Sequence, residues 1–245
     1  MHTTPLHLLF AALSFLLAGS AKGIAGMGLP TVAMGLLGLQ MPPPEAATLI
    51  VFPSLATNVW QYVAGPHRVG LLRRMWPMLI AICVATWAAA GVMVNGAERQ
   101  VTLALGGALL AYGLLGLARL RIAVRPRDEA WLSPVIGTAT GLATGATGVF
   151  VLPAVPYLQA LGLEKDELVQ ALGLSFTIST LSLAAGLATR GAWHVAAAGE
   201  SLACIVPAFA GMTLGRMLRR RIDQATFRRV FFLVLLALGL GIMAH

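Results

Sequence analysis

The side chain best placed to do chemistry is Lys22, the only ionisable residue inside an apolar, glycine-rich stretch near the start of the chain. A cation at membrane depth costs roughly 2.5–3.5 kcal/mol on insertion scales, so it is a functional hypothesis by default. The alternative is a lysine that snorkels to an interface, with a buried stem and a hydrated ammonium. We predict that Lys22 supplies the fixed charge that contacts an anionic substrate.

Neutral polar side chains accompany this lysine in both halves of the chain. Hydroxyl and amide groups can donate hydrogen bonds to oxyanion oxygens. In membrane helices, however, Ser and Thr more often bond their own backbone or a neighbouring helix. The predicted substrate contacts are Thr57, Asn58, Thr144, Thr147, Ser175 and Thr177, and further hydroxyls close to them are Ser54, Ser179, Thr180 and Ser182.

Glycines recur with identical spacing in the two halves, and we call the two sets the glycine ladders. One ladder alone is often only a packing face for a neighbouring helix. Two matched ladders, each followed by a proline that can begin a helix, predict a paired helix break, and the N–H groups of a new helix N-terminus attract anions. The first ladder is Gly19, Gly23 and Gly26, followed by Pro30; the second is Gly141, Gly145 and Gly148, followed by Pro153. We include Gly23, Gly26, Pro30, Gly145, Gly148 and Pro153 in the predicted site.

The elements that must position these residues are membrane helices. The 245 residues are 58% hydrophobic and only 11% charged, whereas about a quarter of an ordinary soluble domain is charged. Apolar stretches of about 20 residues, the length of a spanning helix, recur from end to end. We therefore predict one all-α, polytopic membrane domain over residues 1–245. The net charge of +8 lies in short loops beside these stretches, which indicates a topological role and no nucleic-acid partner.

The matched ladders indicate a duplication, with repeat 1 over residues 6–120 and repeat 2 over 131–244. Each repeat begins with a glycine-rich segment, at residues 6–39 in the first and 131–163 in the second. Three helices of ordinary length follow each segment. The predicted helices are 46–64, 75–94 and 99–119 in repeat 1, and 168–189, 196–218 and 227–244 in repeat 2.

Positive charge indicates whether the glycine-rich segments cross the membrane or return. If each crosses once, sixteen of the seventeen Lys and Arg residues divide evenly between the two faces. If each returns, one face collects fourteen and the other keeps only Arg99 and Arg190, which is the bias that cytoplasmic loops have. We predict re-entrant, broken hairpins and both termini outside. Three full crossings per repeat then make the repeats inverted, with the substrate at their interface near the midplane.

This arrangement resembles the sulfite exporter TauE/SafE family of membrane permeases. The segment from Gly19 to Pro30 looks like the first glycine signature of that family, and the segment from Gly141 to Pro153 looks like the second. The resemblance covers essentially the whole chain. It implies a secondary transporter, which we predict to be an exporter in a bacterial inner membrane. The implied substrate is sulfite, an organosulfonate, or a related sulfur-containing or carboxylate anion.

Other functional classes find little support in the sequence. All nine Asp and Glu residues fall in loops or at predicted helix ends, so no buried carboxylate is available to couple a proton. Motifs for ATP, zinc or a serine nucleophile are absent, and we predict no enzyme, cofactor or metal. Two alternatives stay open. One is an anion channel; the other is a membrane thiol-redox carrier using Cys83 and Cys204, whose spacing is not that of a redox pair.

Overall fold

The structure is a computed structural model and describes residues 5–118, 123–193, 195–219 and 221–244. This part of the chain is entirely helical, in agreement with the predicted class. The helices are α1 (Pro5–Ala25), α2 (Leu29–Leu37), α3 (Pro43–Val63), α4 (Arg68–Asn95), α5 (Glu98–Ala118), α6 (Pro126–Thr147), α7 (Ala154–Ala160), α8 (Lys165–Ala188), α9 (Val195–Ala203), α10 (Ile205–Leu218) and α11 (Gln224–Ala244).

Six stretches of the described chain are long and apolar enough to span a membrane. They are Leu6–Ala25 in α1, α4, α5, α8, Ala197–Leu218 across α9 and α10, and α11. The protein is therefore a multi-pass membrane protein. α3 and α6 are as long as α5 or longer but do not reach the same apolarity, because α3 contains Asn58 and Gln61 and α6 contains several threonines.

The predicted helices lie where expected, with shifted ends. α4 begins at Arg68 rather than at residue 75, so Pro77 lies inside it. The predicted helix 196–218 is two helices that meet at Cys204. Pro207 explains this restart, since it is the third residue of α10 and a proline without an N–H is tolerated in the first turn of a helix. Arg119, the predicted end of helix 99–119, lies outside the described residues, as do Arg121 and Arg220 of the charge count.

The first two glycines of each ladder lie in the two most extensive helix contacts of the described chain, α1 along α10 and α6 along α4. A Cβ at Gly19 would lie 2.2 Å from the Ala208 carbonyl oxygen, and one at Gly141 would lie 2.7 Å from the Ile82 carbonyl oxygen. Backbones that approach this closely leave room only for hydrogen. The first two glycines of each ladder thus form packing faces for a neighbouring helix, rather than parts of a helix break.

Both glycine-rich segments break where a ladder ends, as predicted. Gly28 adopts φ 102° between α1 and α2, and Gly148 adopts φ 71° at the end of α6. These left-handed conformations carry little penalty for glycine alone. Pro30 is the second residue of α2, and Pro153 immediately precedes α7. Each proline therefore stands where a helix begins and where its missing N–H is not needed.

The second glycine-rich segment returns to the end from which it starts. The Val124 N–H, just before α6, donates to the Ala160 carbonyl at the end of α7 over 3.0 Å. In the first segment α1 is both long and apolar enough to span a membrane, whereas α6 is long enough but less apolar. After the break, α2 runs back along α11, with Gly28 beside Phe231 and Gly38 near Ile242. Both segments are helical hairpins in the structure.

Candidate functional site

Lys22 lies three residues before the end of α1, and its side chain is 2% exposed. Its Nζ donates to Thr57 Oγ1 over 3.2 Å and to Asn58 Oδ1. Both partners are neutral and fully buried. Within the described residues no ion pair involves Lys22. A buried ammonium with neutral partners alone is unfavourable, and an anion at this position would compensate its charge.

A proline inside α3 changes the backbone hydrogen bonds one turn before Thr57, which accepts a hydrogen bond from Lys22. Pro53 has no N–H, so the Leu49 carbonyl loses its helical partner. Ser201 of α9 replaces it: its hydroxyl donates to Leu49 O over 2.7 Å and accepts the Phe52 N–H over 3.2 Å. The Thr57 hydroxyl donates to Pro53 O over 2.8 Å, which leaves its oxygen lone pairs for Lys22. Ser201 thus hydrogen-bonds the backbone of α3 just before Pro53, one turn ahead of Thr57.

The amide of Gln61, one turn beyond Asn58 on α3, holds the first helix break. Its Nε2 donates to Gly26 O over 2.8 Å and to Val169 O over 2.6 Å, so it joins α3 to the hairpin tip and to the start of α8. Gln170 adds a second link, because its Nε2 donates to Tyr62 O over 2.7 Å. Neither residue was among the predicted site residues. A polar amide in an otherwise apolar membrane helix is the signal that could have identified them.

Four further polar groups near the contact of α3 with α8 are buried without a hydrogen-bond partner: the hydroxyls of Ser54, Ser175 and Ser179, and Asn58 Nδ2. The two helices run antiparallel: Gly173 lies between Asn58 and Tyr62, and Gln170, earlier in α8, lies against Gly65, after the end of α3. In this register Asn58 falls at the level of Ser175, and Ser54 falls at the level of Ser179. Buried polar groups are normally paired with protein, water or ligand. The contact of α3 with α8 therefore offers several unpaired polar groups, and α3 is also the helix that carries Thr57 and Asn58, the partners of Lys22.

The predicted threonines use their hydroxyl hydrogens within their own helices. Thr144 donates to Thr140 O, Thr147 to Ala143 O and Thr177 to Gly173 O, each over 2.7 Å. Thr147 Oγ1 also accepts the Val149 N–H over 3.2 Å, so it caps the second break. In this conformation none of the three is a free donor. They bond their own helix backbone, as Ser and Thr in membrane helices often do.

The predicted glycines and prolines divide into two groups. Gly23 packs against α10 and Gly145 against α4, where added Cβ atoms would lie 2.3 Å from Met212 O and 2.5 Å from Thr86 O. The remaining four lie at the breaks: Gly26, Pro30, Gly148 and Pro153. Gly148 lies against the Met34 side chain of α2, so the two broken segments meet.

A cavity of about 750 Å³ opens beside both breaks. Its inner wall includes Met27 and the buried Tyr112, whose hydroxyl donates to Met27 Sδ over 3.7 Å. Pro153 lines the side that belongs to the second segment, and Ile24 lines the side that belongs to α1. Lys22 itself is not in the lining. Ile24, Ala25 and Met27, which follow it at the hairpin tip, are in the lining.

The two cysteines occupy dissimilar surroundings. Both thiols are free; Cys83 is exposed on α4, whereas Cys204 is buried between α9 and α10. In the described part of the chain, no three His, Cys, Asp or Glu side chains are grouped to hold a metal ion. Glu200 departs from the expected distribution of acids, since it lies within α9 and is half-buried.

Comparison with known protein families matches residues 11–242 to the family described as sulfite exporter TauE/SafE. The match covers nearly the whole chain, so the protein belongs to this family. Its members are membrane transporters rather than enzymes, and membership indicates a bilayer location and an anionic, sulfur-containing substrate. No curated protein and no solved structure matches the chain.

Proposed function

We propose that this protein is a secondary transporter that exports a small oxyanion, and that Lys22, Thr57 and Asn58 form the core of its binding site. The substrate class is sulfite, an organosulfonate, or a related sulfur-containing or carboxylate anion. One observation supports the proposal above all: the Lys22 ammonium is buried with neutral oxygen partners and, among the described residues, no carboxylate pairs with it. Its charge is compensated only when an anion binds.

The surrounding donors fit an anion with several acceptor oxygens. Ser54 and Asn58 on α3, and Ser175 and Ser179 on α8, have unpaired polar groups that a bound sulfite or sulfonate would satisfy. We propose that Thr144, Thr147 and Thr177 contribute only after their helices rearrange. The broken backbone at Gly26, Pro30, Gly148 and Pro153 would form the path, since irregular backbone at membrane depth is tolerated beside a watery cavity.

We further propose that the chain is one membrane domain built of two inverted repeats. The directions of equivalent helices support this: α3 and its counterpart α8 run antiparallel, and so do α5 and α11, where Gly106 meets Gly239 and Gly113 meets Phe232. The other long helix contacts also join the two repeats, and equivalent helices make equivalent contacts. α1 packs along α10, and the counterpart of α1, which is α6, packs along α4.

The proposed orientation places the start of α4 and the start of α8 in the bacterial cytoplasm, and both chain termini outside. We call this end of the molecule the arginine-rich end. His67, just before α4, donates its N–H to Gln170 of α8 over 3.0 Å, and Arg74 forms a two-bond ion pair with Glu129 at the start of α6. Three helix starts with their flanking charges therefore share one end, as the positive-inside bias favours.

The decisive experiment is anion flux through Lys22→Met in proteoliposomes, with radiolabelled sulfite and sulfoacetate as probes. A hydrogen bond to a charged group contributes about 1.5–3 kcal/mol, so flux at low substrate should fall roughly ten- to hundredfold. Lys22→Arg should retain part of the flux, because arginine keeps the positive charge but carries it on a planar guanidinium instead of a compact ammonium. Arg99→Met is the control for loss of a cation elsewhere. Unaltered flux through well-folded Lys22→Met would contradict the proposed site.

A further inference from the structure

The 750 Å³ cavity combines a basic rim with an apolar interior. Lys165 at the start of α8, Arg219 after α10 and Arg228 near the start of α11 all line it. These three side chains come from separate elements of the second repeat and meet at the arginine-rich end. Deeper in the cavity, aromatic and aliphatic side chains replace them, among them Phe231 and Tyr112.

The charge at this rim is of one sign. None of the described residues in the cavity lining is acidic. Glu164, Asp166 and Asp223 are next in sequence to lining residues but lie outside the lining, and Asp223 Oδ2 accepts the Thr226 N–H and hydroxyl, each over 2.9 Å. The Thr226 N–H holds the pKa of the Asp223 carboxyl below its ordinary value, so this carboxylate stays charged as the cap of α11.

Cations at the mouth of a low-dielectric cleft attract anions from solution. Walls of low dielectric constant focus the field, and such clefts raise local counter-ion concentration and association rates by roughly 10- to 1,000-fold. The cavity has room for on the order of twenty waters at about 30 Å³ each, which is far more than a dehydrated sulfite needs. It is therefore suited to hydrated anions that have not yet reached the buried donors.

We infer that this cavity is an anion-collecting vestibule, in which Lys165, Arg219 and Arg228 concentrate substrate at the arginine-rich end before it passes the hairpin tip to Lys22. The inference rests on the proposed function. The lining reaches Ile24 and Met27, next to the tip, yet stops short of Lys22. The vestibule and the Lys22 site are thus consecutive anion sites separated by the first helix break.

The test compares two triple variants that remove the same charge from the same end of the molecule. The rim variant is Lys165→Gln/Arg219→Gln/Arg228→Gln, and the control is Arg216→Gln/Arg221→Gln/Arg229→Gln, whose side chains lie outside the lining. Uptake of radiolabelled sulfite into everted vesicles gives the half-saturating concentration and the maximal rate. The rim variant should need roughly tenfold more sulfite for half-saturation, with an unchanged maximal rate. The control should behave as the wild type.

Ionic strength supplies a second measurement. Raising salt should increase the half-saturating concentration of the wild type and change that of the rim variant little, because salt screens the field that the variant lacks. If the triple variant folds poorly, Arg228→Gln against its neighbour Arg229→Gln gives the same comparison with one charge. Equal half-saturation in rim and control variants would overturn the vestibule and leave the Lys22 site intact. Full activity of Lys22→Met would instead overturn the proposed function.

Discussion

Replacing Gln61 with leucine should destabilise the protein and loosen the tip of its first hairpin. The Gln61 amide joins α3 to Gly26 at the break and to Val169 at the start of α8, over 2.8 and 2.6 Å. Leucine has a similar size, so the substitution preserves most of the packing. It removes both donated hydrogen bonds and leaves two carbonyl oxygens without this partner.

The size of the effect follows from these two bonds. Hydrogen bonds between membrane helices contribute about 0.6 kcal/mol on average and at most about 1.7 kcal/mol. An unsatisfied buried carbonyl adds a desolvation penalty, which is partial here because Gln61 is only half-buried. We expect a loss of about 2 kcal/mol, equivalent to a fall in Tm of roughly 4–8 °C for a chain of this length.

Thermal unfolding of purified protein in detergent measures the first consequence. The second is read from a cysteine introduced at Met27, which should react faster with a thiol reagent when Gln61 no longer holds the tip. Gln100→Leu, at an exposed position near the start of α5, is the matched control. A Tm within about 1 °C of wild type, together with unchanged labelling at residue 27, would refute the assigned role of the amide.

Three further predictions concern topology, the two cysteines and energetics. Cysteine labels at 70, 125, 165 and 222 should report the cytoplasm and those at 42, 96 and 193 the outside; labels at 42 and 165 on one face would disprove inverted repeats. The Cys83→Ser/Cys204→Ser background needed for labelling should keep full flux, whereas a thiol carrier would lose it. In substrate-loaded liposomes, an interior-negative potential should speed efflux, since it supplies about 2.3 kcal/mol per charge per 100 mV. Dependence on a proton gradient without dependence on voltage would show proton coupling instead.

The helix breaks could be predicted because their chemistry is local. A left-handed backbone favours glycine, and a proline fits the start of a helix, so Gly148 and Pro153 indicated their positions without any knowledge of the fold. Thr57 and Asn58 were predicted as substrate contacts around Lys22, and in the structure both accept a hydrogen bond from its Nζ. Their contact with a substrate stays a prediction.

Long-range packing could not be predicted in the same way. The spacing of Gly19 and Gly23 is equally compatible with a helix break and with a close helix contact, and only the position of α10 distinguishes them. The Thr144 hydroxyl likewise could have faced a substrate or its own helix, and its rotamer depends on tertiary surroundings. Gln61 was missed because its partners, Gly26 and Val169, are distant in sequence.

The bond between Ser201 and Leu49 has a consequence for biogenesis. Pro53 leaves the Leu49 carbonyl without a helical donor, and Ser201, which supplies one, is made 152 residues later. At a synthesis rate of about 5–20 residues per second, that interval lasts roughly 8–30 seconds. Throughout it, α3 has too little apolar surface to qualify as a span and an open backbone acceptor that lipid cannot satisfy. The Leu49 carbonyl can therefore receive this hydrogen bond only after α9 has been made, late in the synthesis of the chain.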